Sequence, residues 1–373
     1  QEDMKEVVAY ASARGISVMP EIEIPGHSRA VTASYPEVGC AITQELKSVQ
    51  GEVKNVWCVG REENYQILDS IIREVSGIFP FEYIHMGGDE TAKNNWEKST
   101  DVENLMKREN LKDQYEVQSY FVKRVEKIIN AKGKKLMGWD EILEGGLPGN
   151  AAVMSWRGML GGIEAANQKH QVVMTPNDFA YIDFYQGEVT AEGKVYKGLR
   201  MKKTYEFEPL PQGIDPKYIL GGQANLWTEQ ILSLRSAQYL TWPRSMSIAE
   251  TLWSPKEKKN WQNFSGKVER QFEILDALNI KHAKSMYDPI VTTTSNTKGE
   301  LIAKMEGEVE NLKFYYTIDE SLPDQFSDEY KGAFVVPSDV TILRVISYRN
   351  GKPIGKMLHI PMESLLSRAV KTL

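Results

Sequence analysis

The sequence predicts an α/β chain in which a barrel of alternating strands and helices is followed by a small all-β domain. Three observations support this prediction. Amphipathic helical segments alternate with short apolar runs over most of the chain, glycines stand where these segments end, and the composition shifts near residue 288 towards Thr, Val, Ile and Tyr. A chain of 373 residues can bury a large core and has room for about two domains.

Composition excludes several classes of function. Lys and Arg number 45 and Asp and Glu number 51, which gives a net charge of -6. This balance argues against nucleic acid or an anionic membrane as the main partner and favours a neutral or weakly charged substrate. No apolar run approaches the roughly 18 residues of a membrane-spanning helix.

The histidines and cysteines point away from a metal centre. The five histidines are scattered and no Cys/His cluster is present, so we predict neither a metal site nor a cofactor. Cys40 and Cys58 lie in a loop-like stretch and either form a disulfide in an oxidising compartment or remain free thiols. Gln1 has no preceding Met or signal pattern, so we expect either a removed signal segment or a start inside a larger protein.

The first part of the chain repeats a helix-then-strand unit. Apolar residues from Met4 to Ala11 recur at helical spacing and stop before Gly15, and the apolar run 16–22 is predicted to be a strand. The same signals predict helices at 67–75, 120–129 and 163–169 and strands at 83–86, 135–139, 151–156, 171–175 and 218–222. This alternation is typical of a parallel sheet with helices outside it, and the strands make about six of the eight βα units of a closed barrel.

The last part of the chain has a different texture. Helical patterns at 231–251 and 261–278 complete the barrel region, and β-type residues dominate from Val291 onward. The run 345–348 leads into Asn350-Gly351, a strong signal for a two-residue hairpin turn. We therefore predict a partial barrel domain over residues 1–287 and a small β domain over residues 288–373.

The strongest candidate for chemistry is the acid pair Asp89-Glu90. It follows the predicted strand 83–86, at the carboxyl end where barrel enzymes build their sites. Neighbouring residues of a regular strand point to opposite faces, so both carboxylates can serve one pocket only if the backbone bends, and Gly87-Gly88 permits this bend. The alternative is two solvated carboxylates in a loop.

A second acid pair, Asp140-Glu141, competes for the catalytic role. It follows the predicted strand 135–139, and Asp140 could instead cap the short turn after it. His27 comes after the first predicted strand and could tune a proton beside an acid pair, or form an ordinary loop hydrogen bond. Residue type and position leave these alternatives open.

Three tryptophans stand at or just after predicted strand ends, where they would face one barrel mouth: Trp139, Trp156 and Trp227. Aromatic walls beside carboxylates such as Asp183 and Glu229 suit a neutral sugar, whose ring has apolar C–H faces and polar edges. For any single tryptophan, burial in the core is the ordinary alternative.

The chain resembles glycoside hydrolase family 20, the β-N-acetylhexosaminidases, over residues 1–285. Motifs of this family occur in its order and spacing: VMPEIEIPGH at 18–27, HMGGDE at 85–90, GWDE at 138–141, SWRG at 155–158, YID at 181–183 and GQANLWTE at 222–229. The resemblance implies a (β/α)8 TIM-type barrel, N-terminally incomplete here, with a small β-sandwich after it.

The resemblance also implies roles for individual residues. Glu90 would be the general acid/base, Asp89 would orient the 2-acetamido group of the substrate, and His27 would sit behind the acid pair. The implied sugar contacts are Tyr181 to the acetamide oxygen, Trp139, Trp156 and Trp227 around the N-acetyl group and the ring, and Asp183 and Glu229 to the C4 and C6 hydroxyls.

The activity implied by the resemblance is that of a retaining exo-β-N-acetylhexosaminidase, in which the acetamide of the substrate attacks the anomeric carbon to form an oxazolinium intermediate. The implied substrate is a glycan or chitooligosaccharide with a terminal N-acetyl-D-glucosamine or N-acetyl-D-galactosamine, and the implied location is periplasmic or secreted. A carbohydrate-binding, catalytically impaired truncated relative is the alternative. An ordinary two-carboxylate glycosidase ranks third.

The chain departs from the family pattern in two places. The barrel of the family normally begins with two further strands, which supply an arginine for the C3 and C4 hydroxyls. Gln1 comes after them, so we expect an incomplete barrel with open sheet edges. Glu23 stands where the family usually has Asp, which affects a contact behind the acid pair.

Overall fold

The computed structural model describes residues 1–40, 56–193 and 195–371. The chain divides into two compact units, Gln1–Pro176 with Pro209–Gly222 and Asn177–Glu208 with Gln223–Leu373. The predicted domain boundary between residues 287 and 288 stays a prediction. Residues 41–55, most of the loop-like stretch predicted between the cysteines, lie outside the described residues.

The first unit alternates helices with short strands, as the sequence predicts. Its helices are α1 (Glu2–Ser12), α2 (Arg29–Ser34), α3 (Glu62–Ile78), α4 (Asn94–Glu97), α5 (Thr100–Glu109), α6 (Gln114–Asn130) and α7 (Leu160–Asn167). Its strands are β1 (Tyr83–His85), β2 (Lys135–Trp139), β3 (Ala152–Ser155), β4 (Val172–Met174) and β5 (Ile219–Gly222). Helices α2, α4 and α5 are additional to the prediction.

The strands form one 5-stranded sheet in the order β1-β2-β3-β4-β5, and every neighbouring pair is parallel. Every residue of β1 and β3 is buried. Parallel strands that are covered on both faces usually have continuous apolar sequences. For this reason these segments lack the alternation of apolar and polar residues that is typical of a half-exposed strand. The carboxyl ends of all five strands lie at one edge of the sheet.

The first predicted strand, residues 16–22, is reduced to a single parallel bridge between Glu21 and His85. The N–H of Ile22 donates to the carbonyl of His85 at 2.8 Å, and the N–H of Ile24 donates to that of Met86 at 3.0 Å. Pro20 has no N–H to extend this ladder, so the segment runs beside β1 without forming a full strand.

Helix packing follows the predicted apolar faces. Helix α6 buries Phe121, Val125 and Ile129, and the carboxylate of Asp113 caps its start by accepting the N–H groups of residues 115 and 116. Helix α1 forms where predicted, but none of its residues is buried. A disulfide joins Cys40 to Cys58, so the free-thiol alternative is wrong.

The second unit holds the remaining helices and an all-β region. Its helices are α8 (Asn177–Ala180), α9 (Val189–Glu192), α10 (Met201–Tyr205), α11 (Leu234–Thr241), α12 (Arg244–Trp253), α13 (Trp261–Ala277) and α14 (Met362–Ser367). The single helical pattern predicted at 231–251 is split between α11 and α12. Pro243 lies between the two helices. Proline cannot donate the backbone hydrogen bond that a continuous helix needs, so the helix is interrupted there.

The C-terminal region is all-β apart from α14, as predicted. Its strands are β6 (Ile290–Ser295), β7 (Leu301–Glu306), β8 (Lys313–Thr317), β9 (Asp328–Glu329), β10 (Phe334–Val336), β11 (Ile342–Arg349), β12 (Lys352–Pro361) and β13 (Val370–Lys371). They form two sheets, in the orders β10-β7-β6-β13 and β12-β11-β8-β9. The predicted hairpin is present, with Arg349 opposite Lys352 and with φ of 52° at Asn350 and 72° at Gly351.

Across the described ranges, none of the helices combines the length and the apolar character needed to cross a membrane.

Candidate active site

The carboxyl edge of the parallel sheet carries several of the predicted site residues. Residues 87–90 follow β1, the second acid pair Asp140-Glu141 follows β2, and Trp156 with Arg157 follows β3. Side chains at the carboxyl ends of parallel strands are those that barrel folds use for chemistry. Both acid pairs and two of the three predicted tryptophans therefore lie at this edge.

Asp89 and Glu90 both reach the same histidine. The Nε2 atom of His27 lies 3.4 Å from Oδ2 of Asp89 and 3.2 Å from Oε2 of Glu90. The bend predicted at Gly87-Gly88 is present, with φ of 69° and 92°, and Glu90 itself has φ of 43°. A positive φ is unfavourable for a residue with a Cβ, and such strain concentrates at functional sites.

The close approach of Glu23 explains the glycine at position 87. A Cβ on Gly87 would lie 1.8 Å from Oε1 of Glu23. Glu23 in turn contacts Asp89, and burial together with the charges of Asp89 and Glu21 raises the pKa of Glu23 well above its ordinary value. A protonated Glu23 can donate a hydrogen bond to Asp89.

The neighbours of Asp89 favour its ionised form. Burial would raise its pKa, but hydrogen bonds from His27 and Glu23 outweigh burial and hold it below the ordinary value. The hydrogen bonds to Asp89 and Glu90 raise the pKa of His27 to about 10. The cluster therefore presents a carboxylate at Asp89 beside a protonated imidazole.

Trp139 is held by a pair of residues behind the acid pair. Its Nε1 donates to Oε1 of Glu21 at 2.8 Å, and its ring meets that of His85 edge-on at 4.8 Å between centroids. Glu21 also lies 3.2 Å from Nδ1 of His85. Trp139 is 2% exposed, so it lines this edge mainly as a buried support.

The second acid pair binds its own partners. Nε1 of Trp156 donates to Glu141 at 3.0 and 3.2 Å, and Nε of Arg157 donates to Oδ1 of Asp140 at 2.8 Å. Burial and the neighbouring Asp140 raise the pKa of Glu141 to about 8. Trp156 itself is partly exposed.

The second unit carries the other predicted sugar-contacting residues. The segment around Tyr181 pairs with Asn225, whose N–H donates to the carbonyl of Ala180 and whose carbonyl accepts from Ile182, both at 2.8 Å. Asp183 follows this bridge and is 2% exposed. Burial raises its pKa to about 7.

A fully buried arginine lies beneath this segment. Arg244 donates to the carbonyls of Ile182 at 2.5 Å, Leu199 at 3.0 Å and Leu240 at 3.0 Å. Its positive charge opposes the rise in the pKa of Asp183. Sequence reasoning missed Arg244, because an arginine inside a helical pattern carries no sign of its partners.

Trp227 and Glu229 are partly exposed and follow the bridge residue Asn225. The hydroxyl of Tyr196 donates to Oε1 of Glu229 at 3.0 Å. Tyr196 was not predicted as a site residue. The structure shows that it donates to Glu229, which was predicted as one.

The structure brings together His27, Asp89 and Glu90 in the first unit, with Trp139 and Trp156 at the same sheet edge. Tyr181, Asp183, Trp227 and Glu229 belong to the second unit. Sequence reasoning assigned no role to Glu21. Glu21 stands two residues before Glu23 on an extended segment and so shares a face with it, a pattern that could have revealed Glu21.

One group among the described residues has the geometry for a cation: a ring nitrogen of His27 and carboxylate oxygens of Asp89 and Glu90 lie within 4.8 Å of one another. Charge pairing within this cluster accounts for the same geometry. The expected absence of a metal and of a cofactor stays a prediction.

Comparison with known proteins bears on this site. A family model described as the catalytic domain of glycosyl hydrolase family 20 matches residues 1–256, and a model described as Fn3 associated matches residues 304–358. The β-hexosaminidase of Porphyromonas gingivalis is 36% identical over 369 residues, which cover 96% of this chain and 46% of that protein. The β-hexosaminidase of Vibrio furnissii is 33% identical over 67% of this chain and 42% of that protein.

Solved structures agree with the sequence comparison. A GH20 exo-β-N-acetylglucosaminidase from Vibrio harveyi, in complex with N-acetylglucosamine, has a TM-score of 0.70 at 30% identity and covers 76% of this chain and 46% of that chain. A β-N-acetylhexosaminidase from Bacteroides fragilis has a TM-score of 0.67 at 28% identity, over 75% of this chain and 57% of that chain. The chain spans about half the length of the curated relatives it matches.

Proposed function

Because the chain belongs to glycosyl hydrolase family 20, we propose that it carries the acid pair of a retaining exo-β-N-acetylhexosaminidase. The substrate is a glycan or chitooligosaccharide with a terminal N-acetyl-D-glucosamine or N-acetyl-D-galactosamine. The observation that carries the proposal is the convergence of Asp89 and Glu90 on His27, at the carboxyl edge of a parallel sheet.

In the proposed mechanism the substrate supplies the nucleophile. Its acetamide oxygen attacks the anomeric carbon, and positive charge develops near the acetamide nitrogen as an oxazolinium ion forms. Asp89, kept ionised by His27 and Glu23, stabilises that charge and orients the acetamide. Glu90 gives its proton to the leaving oxygen and then takes one from the water that opens the intermediate. Two inversions at the anomeric carbon give overall retention.

The proposed sugar contacts follow from the resemblance to the family, and for Trp156, Trp227 and Glu229 partial exposure also supports them. Tyr181 donates to the acetamide oxygen, and Asp183 and Glu229 accept from the C4 and C6 hydroxyls. Trp156 and Trp227 are partly exposed and offer ring surface to the N-acetyl group and the sugar. Trp139, being almost fully buried, stiffens the wall that the substrate meets.

The finer architecture and the location are also proposals. We assign the parallel sheet to a (β/α)8 TIM-type barrel that is incomplete in this chain, with about six of its eight units in residues 1–287 and a β-sandwich in residues 288–373. The Cys40–Cys58 disulfide supports a periplasmic or secreted location, because disulfides persist in oxidising compartments.

The test compares two aryl glycosides that differ in one group. We expect this chain to release the aryl alcohol from an N-acetyl-β-glucosaminide and not from the matched β-glucoside, because only the first carries the internal nucleophile. Comparable rates on both would refute substrate assistance. Saturable sugar binding with no release from either, unchanged in Glu90→Gln, would favour a binding protein.

A further inference from the structure

The second acid pair, Asp140-Glu141, has no part in the proposed chemistry and yet is almost fully buried. Asp140 is 2% exposed and Glu141 is 6% exposed. Burying two adjacent carboxyl groups costs free energy unless each of them is hydrogen-bonded or paired with a charge. The groups that bond to Asp140 and Glu141 therefore indicate the role of the pair.

The partner of Glu141 is the indole of Trp156. Nε1 of Trp156 lies 3.0 Å from one carboxylate oxygen of Glu141 and 3.2 Å from the other. An indole has a single N–H donor, so a bond to a buried acceptor fixes the rotation of the whole ring. Trp156 is partly exposed at the carboxyl edge of the sheet.

Asp140 and Arg157 brace the same contact. Nε of Arg157 donates to Oδ1 of Asp140 at 2.8 Å and lies 3.8 Å from Oε2 of Glu141, and its Nη1 donates to Glu144 at 3.1 Å. A Cβ at Gly161 would lie 2.7 Å from Oδ2 of Asp140, so helix α7 closes on the other side of this carboxylate. The turn after β2 and the loop after β3 are therefore tied together.

We propose that Glu141 is a positioning residue, which holds the Trp156 indole in the orientation that receives the N-acetylated sugar. This inference rests on the proposed function, because Trp156 meets substrate only if the site binds one. A carboxylate and a carboxylic acid both keep an acceptor oxygen for the indole N–H, so the contact survives the titration of Glu141.

The test uses four single variants, one double variant and two readouts. Glu141→Leu removes the acceptor, Glu141→Gln restores one, and Trp156→Phe removes the donor. Glu164→Leu, an exposed glutamate on α7, is the matched control. The first readout is the ¹⁵N–¹H signal of the Trp156 indole among the 8 tryptophans, identified by its absence in Trp156→Phe. The second readout is KM and kcat on the aryl N-acetyl-β-glucosaminide.

We expect Glu141→Leu to shift the indole signal and speed its hydrogen exchange, and to lower kcat/KM by roughly 3- to 10-fold, mainly through KM. Glu141→Gln should recover most of this loss, and Glu141→Leu should add little in a Trp156→Phe background. An unmoved indole signal, additive losses, or a loss in kcat with a displaced pH profile would overturn the proposal.

Two further results distinguish a failure of the proposed function from a failure of the inference about Glu141. If the unmodified chain cleaves no aryl glycoside, the proposed function fails, while the indole signal still decides whether Glu141 holds Trp156. If Glu141→Leu does not fold, Trp156→Phe removes the same hydrogen bond from the other side. An unchanged KM in that variant would overturn the inference.

Discussion

Replacing Arg244 by methionine should destabilise the second unit strongly. The guanidinium is fully buried and donates to the carbonyls of Ile182 at 2.5 Å, Leu199 at 3.0 Å and Leu240 at 3.0 Å. Methionine occupies much of the same space and donates nothing. Two buried carbonyl groups and one partly buried carbonyl group would lose a charged donor in Arg244→Met.

The expected loss follows from these three contacts. A hydrogen bond to a charged group contributes about 1.5–3 kcal/mol, and removing one partner of a buried charged network costs about 3–5 kcal/mol. Because the new methionine recovers some apolar packing, we expect the free energy of unfolding to fall by about 4 kcal/mol near pH 5. Arg235→Met, an exposed position on α11, should change it by less than about 0.5 kcal/mol.

The deficit should grow as the pH rises. Burial raises the pKa of Asp183 from 3.8 to about 7, Glu229 adds to the rise, and Arg244 opposes it. The folded state therefore holds this proton more tightly than the unfolded chain, so the contribution of Asp183 to stability falls as the pH rises from about 4 to about 7. Without Arg244 the folded pKa rises further, and the decline continues beyond pH 7.

The assay is denaturant unfolding of the chain and of both variants, followed by circular dichroism at about pH 5 and about pH 8. The deficit of Arg244→Met relative to Arg235→Met should be larger at the higher pH by about 1 kcal/mol. A deficit below about 1 kcal/mol at both pH values would refute the structural role of Arg244. A large deficit that does not change with pH would refute its coupling to Asp183.

The remaining predictions concern the first unit. Glu90→Gln should lower kcat by about 10²–10⁴-fold for a disaccharide and by less for an activated aryl glycoside, and equal losses on both would argue against an acid role. Glu23→Ala should raise the pKa of Asp89, because Glu23 donates to it, and so move the acidic limb of the kcat/KM profile to higher pH. An unmoved limb would contradict this coupling. Gly87→Ala should lower kcat/KM by about tenfold or more, because its Cβ would lie 1.8 Å from Oε1 of Glu23, whereas Gly77→Ala in open space should not.

The five strands and four of the seven helices in the first unit could be predicted because they depend on local signals. Apolar runs between helical patterns mark the five strands of the parallel sheet, and the hairpin at Asn350-Gly351 follows from residues that tolerate a positive φ. The first predicted strand shows the limit of this reasoning. Its apolar run is present, but Pro20 cannot donate to the ladder with β1, and one bridge remains.

The chemistry of the site depends on neighbours that are distant in the sequence. Motif position was enough to predict that His27 could lie beside Asp89 or Glu90. The raised pKa of Glu23, in contrast, depends on burial and on the nearby carboxyl groups of Asp89 and Glu21. Arg244 lies far along the chain from Ile182, and no periodicity links the two residues. Contacts of this kind depend on the tertiary structure and cannot be derived from local sequence patterns.

The two acid pairs show how the same residue types at equivalent strand ends come to have different surroundings. After β1, positive φ values at Gly87, Gly88 and Glu90 turn both carboxylates towards one histidine, and Glu90 keeps a side chain that is 48% exposed. After β2 the chain enters a regular 3₁₀ turn, and both carboxyl groups point into the protein, where an indole and a guanidinium meet them. An exposed carboxyl group can exchange a proton with substrate and water, whereas a buried one that is fully bonded can only hold its partners. The backbone after each strand therefore decides which pair keeps an exposed carboxyl group, and the glycines at 87 and 88 are a sequence difference that separates the two pairs.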